Sequence, residues 1–330
     1  MSLSDQASNP GSTLCAFLDA HLPQRGVVAN QWVRQVRKAP WAPIDVKADR
    51  GSLGTALELR IGLDLAAEPA HWGLLSFLPA ETCTSLLTAA GFTPAAYDHV
   101  PTDDTNDPLL LAWIRRGRPD RFEDAPQHAA LVACVELAGV EQIAHRLHAT
   151  PAAQVRRSLL LTLQAARGGG ADEDHPAFHG LRHMWHGYLR YGRQQLTNLG
   201  ERTVIAPSLS PGFAIADLVK GRTLVDIKAS AKPAEHCDVW LNQLLGYLLL
   251  DRFNIFYWEA IAVYLGWHAM TLSVSVQHLL TVSSAGVTPA LSDLRAEFRK
   301  VIADELDEAA TWHLRDRYPV PSITSDEART

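Results

Sequence analysis

The chain has 330 residues, 47% of them hydrophobic and 20% charged, which is enough apolar mass for one large domain or two closely packed ones. A formal charge of −6 excludes a global attraction to polyanions, so a nucleic-acid partner has to be met by a local basic surface. No apolar run approaches the roughly 18 residues of a membrane span, and MSLSDQASNPGST lacks a basic and an apolar signal region, so a cytoplasmic protein without a membrane partner is expected.

Residues 1–12 are polar and read as a mobile tail. From Thr13 to about Lys38 the pattern is helical, until Pro40 and Pro43 break it. GSLGTALELRIGLDLAA, residues 51–67, starts a new helix with Leu57, Ile61 and Leu65 spaced by four. The Ala- and Leu-rich stretch from about 70 to 166 predicts several packed helices, RGGGADEDHP at 167–176 is a break, and a further helix is expected from Ala177 to about Asn198. After Gly200 the character changes to short β-type segments, TVIAPSL, FAIADLV and TLVDIKA. DVWLNQLLGYLLLD, 238–251, is a helix with Asp238 as its N-cap; EAIAVYLG and AMTLSVSV form a hairpin about Gly266; residues 289–312 are a closing amphipathic helix. The class is mixed α/β, with a core formed largely by residues 200–285.

Cys15, Cys83, Cys134 and Cys237 are scattered, which fits buried free thiols better than disulfides or a metal cluster. His175, His179, His183 and His186 recur at spacings of four, four and three. On a continuous helix they form a stripe that could hold zinc, but H-E-x-x-H is absent, Pro176 places His175 before the helix, and partly buried or surface histidines are the simpler account.

The chemistry concentrates in AIADLVKGRTLVDIKA. If Lys220-Gly221 is the turn of an antiparallel hairpin and Val219 pairs with Arg222, then Asp217 lies opposite Leu224 and shares a face with Asp226 and Lys228. The carboxylates become diagonal neighbours, roughly 5 to 8 Å apart at their Cβ atoms. Such a pair needs a positive charge, either a hard divalent cation or the lysine ammonium in a plain salt bridge.

Asp217, the triplet Asp226-Ile227-Lys228 and the helix motif Gln243-x-x-x-Tyr247 together resemble the PD-(D/E)XK nuclease superfamily, in its RecB-like branch. The resemblance is close over residues 203–251; the first motif is Ala216-Asp217 where the family usually has Pro-Asp. The family also carries an acidic residue on a helix before the sheet, and Glu58 matches that place. The resemblance implies a restriction-endonuclease-like core, a small mixed sheet flanked by helices, with residues 13–64 and 200–312 contributing to it. Residues 65–199 would be a large helical insertion and 313–330 a C-terminal tail. It further implies Mg²⁺ or Mn²⁺ on Asp217, Asp226, the Ile227 carbonyl and Glu58, with Lys228 orienting or deprotonating water. Gln243 and Tyr247 would hold Lys228 or a phosphate; by spacing alone they serve equally as a sheet cap and a core residue. No iron–sulfur cluster is implied, since no cysteine follows Cys237.

The implied function is metal-dependent hydrolysis of nucleic acid, most naturally DNA, in defence or repair. The alternative is a silent nuclease-like module that binds nucleic acid or a partner protein, with the helical insertion as a surface for that partner or for a homo-oligomer. Arg34, Arg37 and Lys38, and Arg115, Arg116, Arg118 and Arg121, each with Trp nearby, are candidate backbone contacts.

Overall fold

The computed structural model describes residues 2–48, 50–65, 176–210 and 213–309, together with residues 131, 134, 135 and 138. The predicted insertion therefore lies outside the described residues except for Leu65, those four and 176–199. The closing tail at 313–330, Cys83 and the arginines at 115–121 lie outside them too.

The described residues up to 65 are largely helical: α1 (Leu3–Ser8), α2 (Thr13–His21), α3 (Gly26–Val36) and α4 (Arg50–Leu65). Where a loose tail was expected, Ser2 and Asp5 form a reciprocal capping box that starts α1, and Leu3, Gln6 and Ala7 are buried. The cap satisfies backbone donors that a short polar helix would otherwise leave to water. The break at Pro40 and Pro43 is present, and α4 follows it as the apolar spacing predicts.

A second helical stretch, α5 (Pro176–Gly187), passes through a π-helical turn at Tyr188–Gly192 into α6 (Arg193–Thr197). Seven strands follow: β1 (Thr203–Ile205), β2 (Ser208–Ser210), β3 (Ala214–Ile215), β4 (Leu218–Lys220), β5 (Thr223–Lys228), β6 (Ala260–Leu265) and β7 (Met270–Ser275). α7 (Cys237–Leu250) connects β5 to β6, and α8 (Val276–Ser283) and α9 (Leu291–Val301) close the described chain. The N-cap of α7 is His236 without a side-chain bond, so Asp238, expected there, lies inside the first turn, where a carboxylate still favours the helix dipole.

The fold is mixed α/β with a five-stranded sheet in the order β1-β4-β5-β6-β7; β2 and β3 form a separate two-stranded ladder. β5 and β6 are parallel and the other neighbours antiparallel. A parallel pair needs a crossover, and α7 supplies it. The predicted hairpin at Gly266 is the β6–β7 pair.

Each face of the sheet has its own core. Leu218, Val225, Ile227, Ala262 and Tyr264 pack with α4 and α5. Val219, Leu224, Ile261, Val263 and Leu265 pack with α7 and the N-terminal helices. This division of alternate residues decides which way the charges of β5 point.

Among the described residues no helix is long and apolar enough to cross a membrane. Cys15, Cys134 and Cys237 are free and buried. The apolar run 253–267 divides: Phe253, Ile255 and Tyr257 are exposed in the loop, while Ile261 to Leu265 are in the core.

Candidate active site

The hairpin that carries the charges has a different register from the expected one. Leu218 pairs with Val225 and Lys220 with Thr223, so the two-residue turn is Gly221-Arg222. Gly221 has φ +61°, which a two-residue hairpin turn demands and only glycine adopts freely. A Cβ there would also stand 2.5 Å from the Leu199 carbonyl oxygen. The correction is two residues, an even number, so every side chain keeps its face. It moves Asp217 from a diagonal position to the place opposite Asp226.

The expected continuous strand AIADLV also breaks into β3 and β4 at Ala216-Asp217. With the ladder interrupted, the Ile227 N–H lacks a strand partner, and the Asp217 carboxylate takes that place: Ile227 N donates to Asp217 Oδ2 at 2.6 Å. Ala214 and Ala216 pack in the core on the α7 side, apart from Val225 and Ile227. The break frees them from the alternation of β4.

Asp226 and Lys228 have the parity of Leu224 and so face α7. Their side chains meet, with Lys228 Nζ 2.7 Å from Asp226 Oδ2. Asp226 is 1% exposed, whereas the Lys228 side chain keeps 23% of its surface, so the ammonium is the more accessible end of the pair. The Lys228 ammonium and the Asp217 carboxyl are the polar partners of Asp226.

α7 supplies the next layer through residues four apart on one face. Lys228 Nζ donates to Gln243 Oε1 at 3.1 Å, and Gln243 Nε2 donates to Tyr247 Oη at 3.1 Å. Tyr247 in turn donates to the Ile215 carbonyl at 2.9 Å. Gln243 is thus a holder of Lys228, and Tyr247 is both a core residue and the link from that amide to the broken strand.

Burial pushes the Asp217 carboxyl up to about 7, with the Asp226 charge adding to the effect and Lys228 opposing it. Burial likewise raises Asp226 against the pull of Lys228. For Lys228 burial acts downward, but Asp226, Asp217 and then Glu58 outweigh it, and its pKa rises. Tyr247 is held as a phenol by burial and by the two aspartates. Glu58, on α4, is half-buried and acts on Lys228 and Tyr247 through its charge.

Two buried carboxyls share one ammonium, and carboxylate oxygens are the kind of donor a hard cation takes. Asp217, Asp226 and the Ile227 carbonyl fit such an ion. In an extended strand the carbonyl and N–H of one residue leave by the same edge, and the Ile227 N–H faces Asp217. Among the described residues no group of three or more His, Cys, Asp and Glu is arranged to hold a metal; Glu58 reaches the site through its charge on Lys228 and Tyr247. The histidine stripe is not a cluster either. His183 Nε2 lies 2.8 Å from the Ala42 carbonyl, and its ring packs between Trp41 and Trp267; His175 lies outside the described residues.

The reading of the residues missed Ser4. Gln243 Nε2 donates to its Oγ at 3.0 Å, which brings α1 into the site. The Ser2-x-x-Asp5 spacing was the available signal for that helix. No family model, no curated protein and no solved structure matches this chain.

Proposed function

We propose that the protein is a divalent-cation-dependent nuclease of the PD-(D/E)XK type, acting on DNA, with a restriction-endonuclease-like core around β4, β5, α7 and β6. The observation that carries this reading is the convergence of Asp217, Asp226 and Lys228, backed by Gln243 and Tyr247 from the following helix.

Asp217, Asp226 and the Ile227 carbonyl would hold Mg²⁺ or Mn²⁺. A cation there supplies Lewis acidity, drawing charge from a phosphate oxygen and easing loss of a water proton. Lys228 is held as an ammonium by its acidic neighbours, so its part is to place water and offset charge on the phosphate. Gln243 fixes the direction of that ammonium, and Tyr247 fixes Gln243. Glu58 contributes negative potential from α4.

The test is cleavage of linear and circular, single- and double-stranded DNA with Mg²⁺ or Mn²⁺. Metal-dependent cutting by the native protein, abolished in both Asp226→Ala and Lys228→Ala, is the expected result. A second reading, a silent module that binds nucleic acid or a partner, is favoured by the Asp226–Lys228 ion pair, in which the lysine already meets the carboxylate. DNA binding without any cutting in either metal would establish it in place of the first.

A further inference from the structure

The hydrogen bonds at Gln243 form a directional set. Lys228 can only donate, so the Gln243 carbonyl oxygen must face it and the amide nitrogen must face away. That nitrogen has two protons, one spent on Tyr247 at 3.1 Å and the other on Ser4 Oγ at 3.0 Å. Lys228 thus excludes the flipped amide, in which an N–H would be turned against its ammonium, and Ser4 and Tyr247 hold the amide in the orientation that remains.

Ser4 is held firmly enough to do this. The capping box between Ser2 and Asp5 fixes the start of α1, and Leu3 N donates to the Phe213 carbonyl at 3.1 Å. Leu3 packs where α7 has Gly246, so closely that a Cβ on Gly246 would lie 2.6 Å from Leu3 Cδ1. The Gln6 side chain accepts from Leu14 N at 3.1 Å, tying α1 to α2. Ser4 itself is exposed, so its hydroxyl does not serve the core.

We propose that Ser4 is a positioning residue of the site: by accepting the second amide proton of Gln243 it holds in place the amide that aims Lys228. For catalysis the proposal rests on the nuclease reading; for geometry it does not. Two measurements keep these apart. In the metal-free protein with ¹⁵N-labelled glutamine, the Gln243 side-chain amide, assigned by its loss in Gln243→Leu, should exchange with solvent about fivefold faster in Ser4→Ala. Ser4→Thr, which keeps the hydroxyl, should restore slow exchange. In cleavage of a fluorescent single-stranded oligonucleotide with Mg²⁺, Ser4→Ala should lower kcat about fivefold with KM unchanged, and Ser4→Thr should recover it.

An unchanged Gln243 amide in Ser4→Ala overturns the proposal, as does failure of threonine to restore slow exchange or a loss of thermal stability with kcat intact. If the native protein cuts neither this oligonucleotide nor duplex DNA, the nuclease reading fails, and the amide exchange alone decides the role of Ser4.

Discussion

Asp64 and Asp226 are both largely removed from solvent and both sit beside a cation, yet their surroundings differ. Asp64, on α4, accepts two hydrogen bonds on Oδ2, from the Tyr188 hydroxyl and from Arg193 Nε, each at 2.8 Å. Its side chain is 10% exposed, and Arg60, one turn earlier, lies flat on Trp185 with its guanidinium carbon 3.7 Å from the ring centroid. That carboxylate is matched where it stands and joins α4 to the π-helical turn and α6. Asp226 shares one ammonium with a second buried carboxyl that it touches, and sits on the central strand. Burial of charge is common to the two places; incomplete neutralisation belongs to one. A structural ion pair closes its own account, whereas a site leaves charge for a ligand to meet.

The largest effects should separate the two aspartates by kind. Asp226→Ala should reduce metal-dependent cleavage by about 10² to 10³. Asp64→Ala should leave cleavage per folded molecule within about twofold and instead cost about 1–3 kcal/mol of stability, because Tyr188 and Arg193 lose their acceptor. Steady-state cleavage and urea denaturation on both variants read the difference. Activity lost in Asp64→Ala and kept in Asp226→Ala would reverse the assignment.

A next effect in size concerns pH. The Asp217 carboxyl, pushed up to about 7 in the fold, binds its proton more tightly there than in the unfolded chain. Its contribution to stability is thus complete below the ordinary carboxylate range and is lost as pH rises through about 7. With chelator present, Tm should fall between about pH 5 and about pH 8, and Asp217→Asn should flatten that fall. Mg²⁺ should raise Tm clearly at about pH 8 and little at about pH 5, since the cation and the proton compete for one carboxyl. Equal Mg²⁺ shifts at the two pH values would mean that the ion binds elsewhere.

Much of this was legible in the residues. The alternation in TLVDIKA put Asp226 and Lys228 on one face, and the spacing of Gln243 and Tyr247 put them on one side of α7; both hold. The register was not legible, because Lys220-Gly221 and Gly221-Arg222 are both acceptable turns and only the close approach of Leu199 and Gly200 to Gly221 singles out the second. The break at Ala216 was hidden for a related reason: a side chain can replace a ladder partner, and no local pattern announces it. α1 was lost to composition, since a polar six-residue helix shows no apolar period and depends on its cap and on packing against α7.

The smallest effect tests whether the layer behind Lys228 belongs to the site or to the core. Tyr247→Phe keeps the ring among its apolar neighbours and removes the bond to the Ile215 carbonyl and the acceptor for Gln243. Tyr188→Phe removes the bond to Asp64 in the same way. Each should cost about 1 kcal/mol of stability by denaturation, so stability alone does not tell the clusters apart. Cleavage should: with Gln243 less firmly held, Tyr247→Phe should lower kcat about threefold to fivefold at unchanged KM, and Tyr188→Phe should leave both constants alone. Equal kcat in the two variants would confine Tyr247 to packing and leave Ser4 as the remaining restraint on the Gln243 amide.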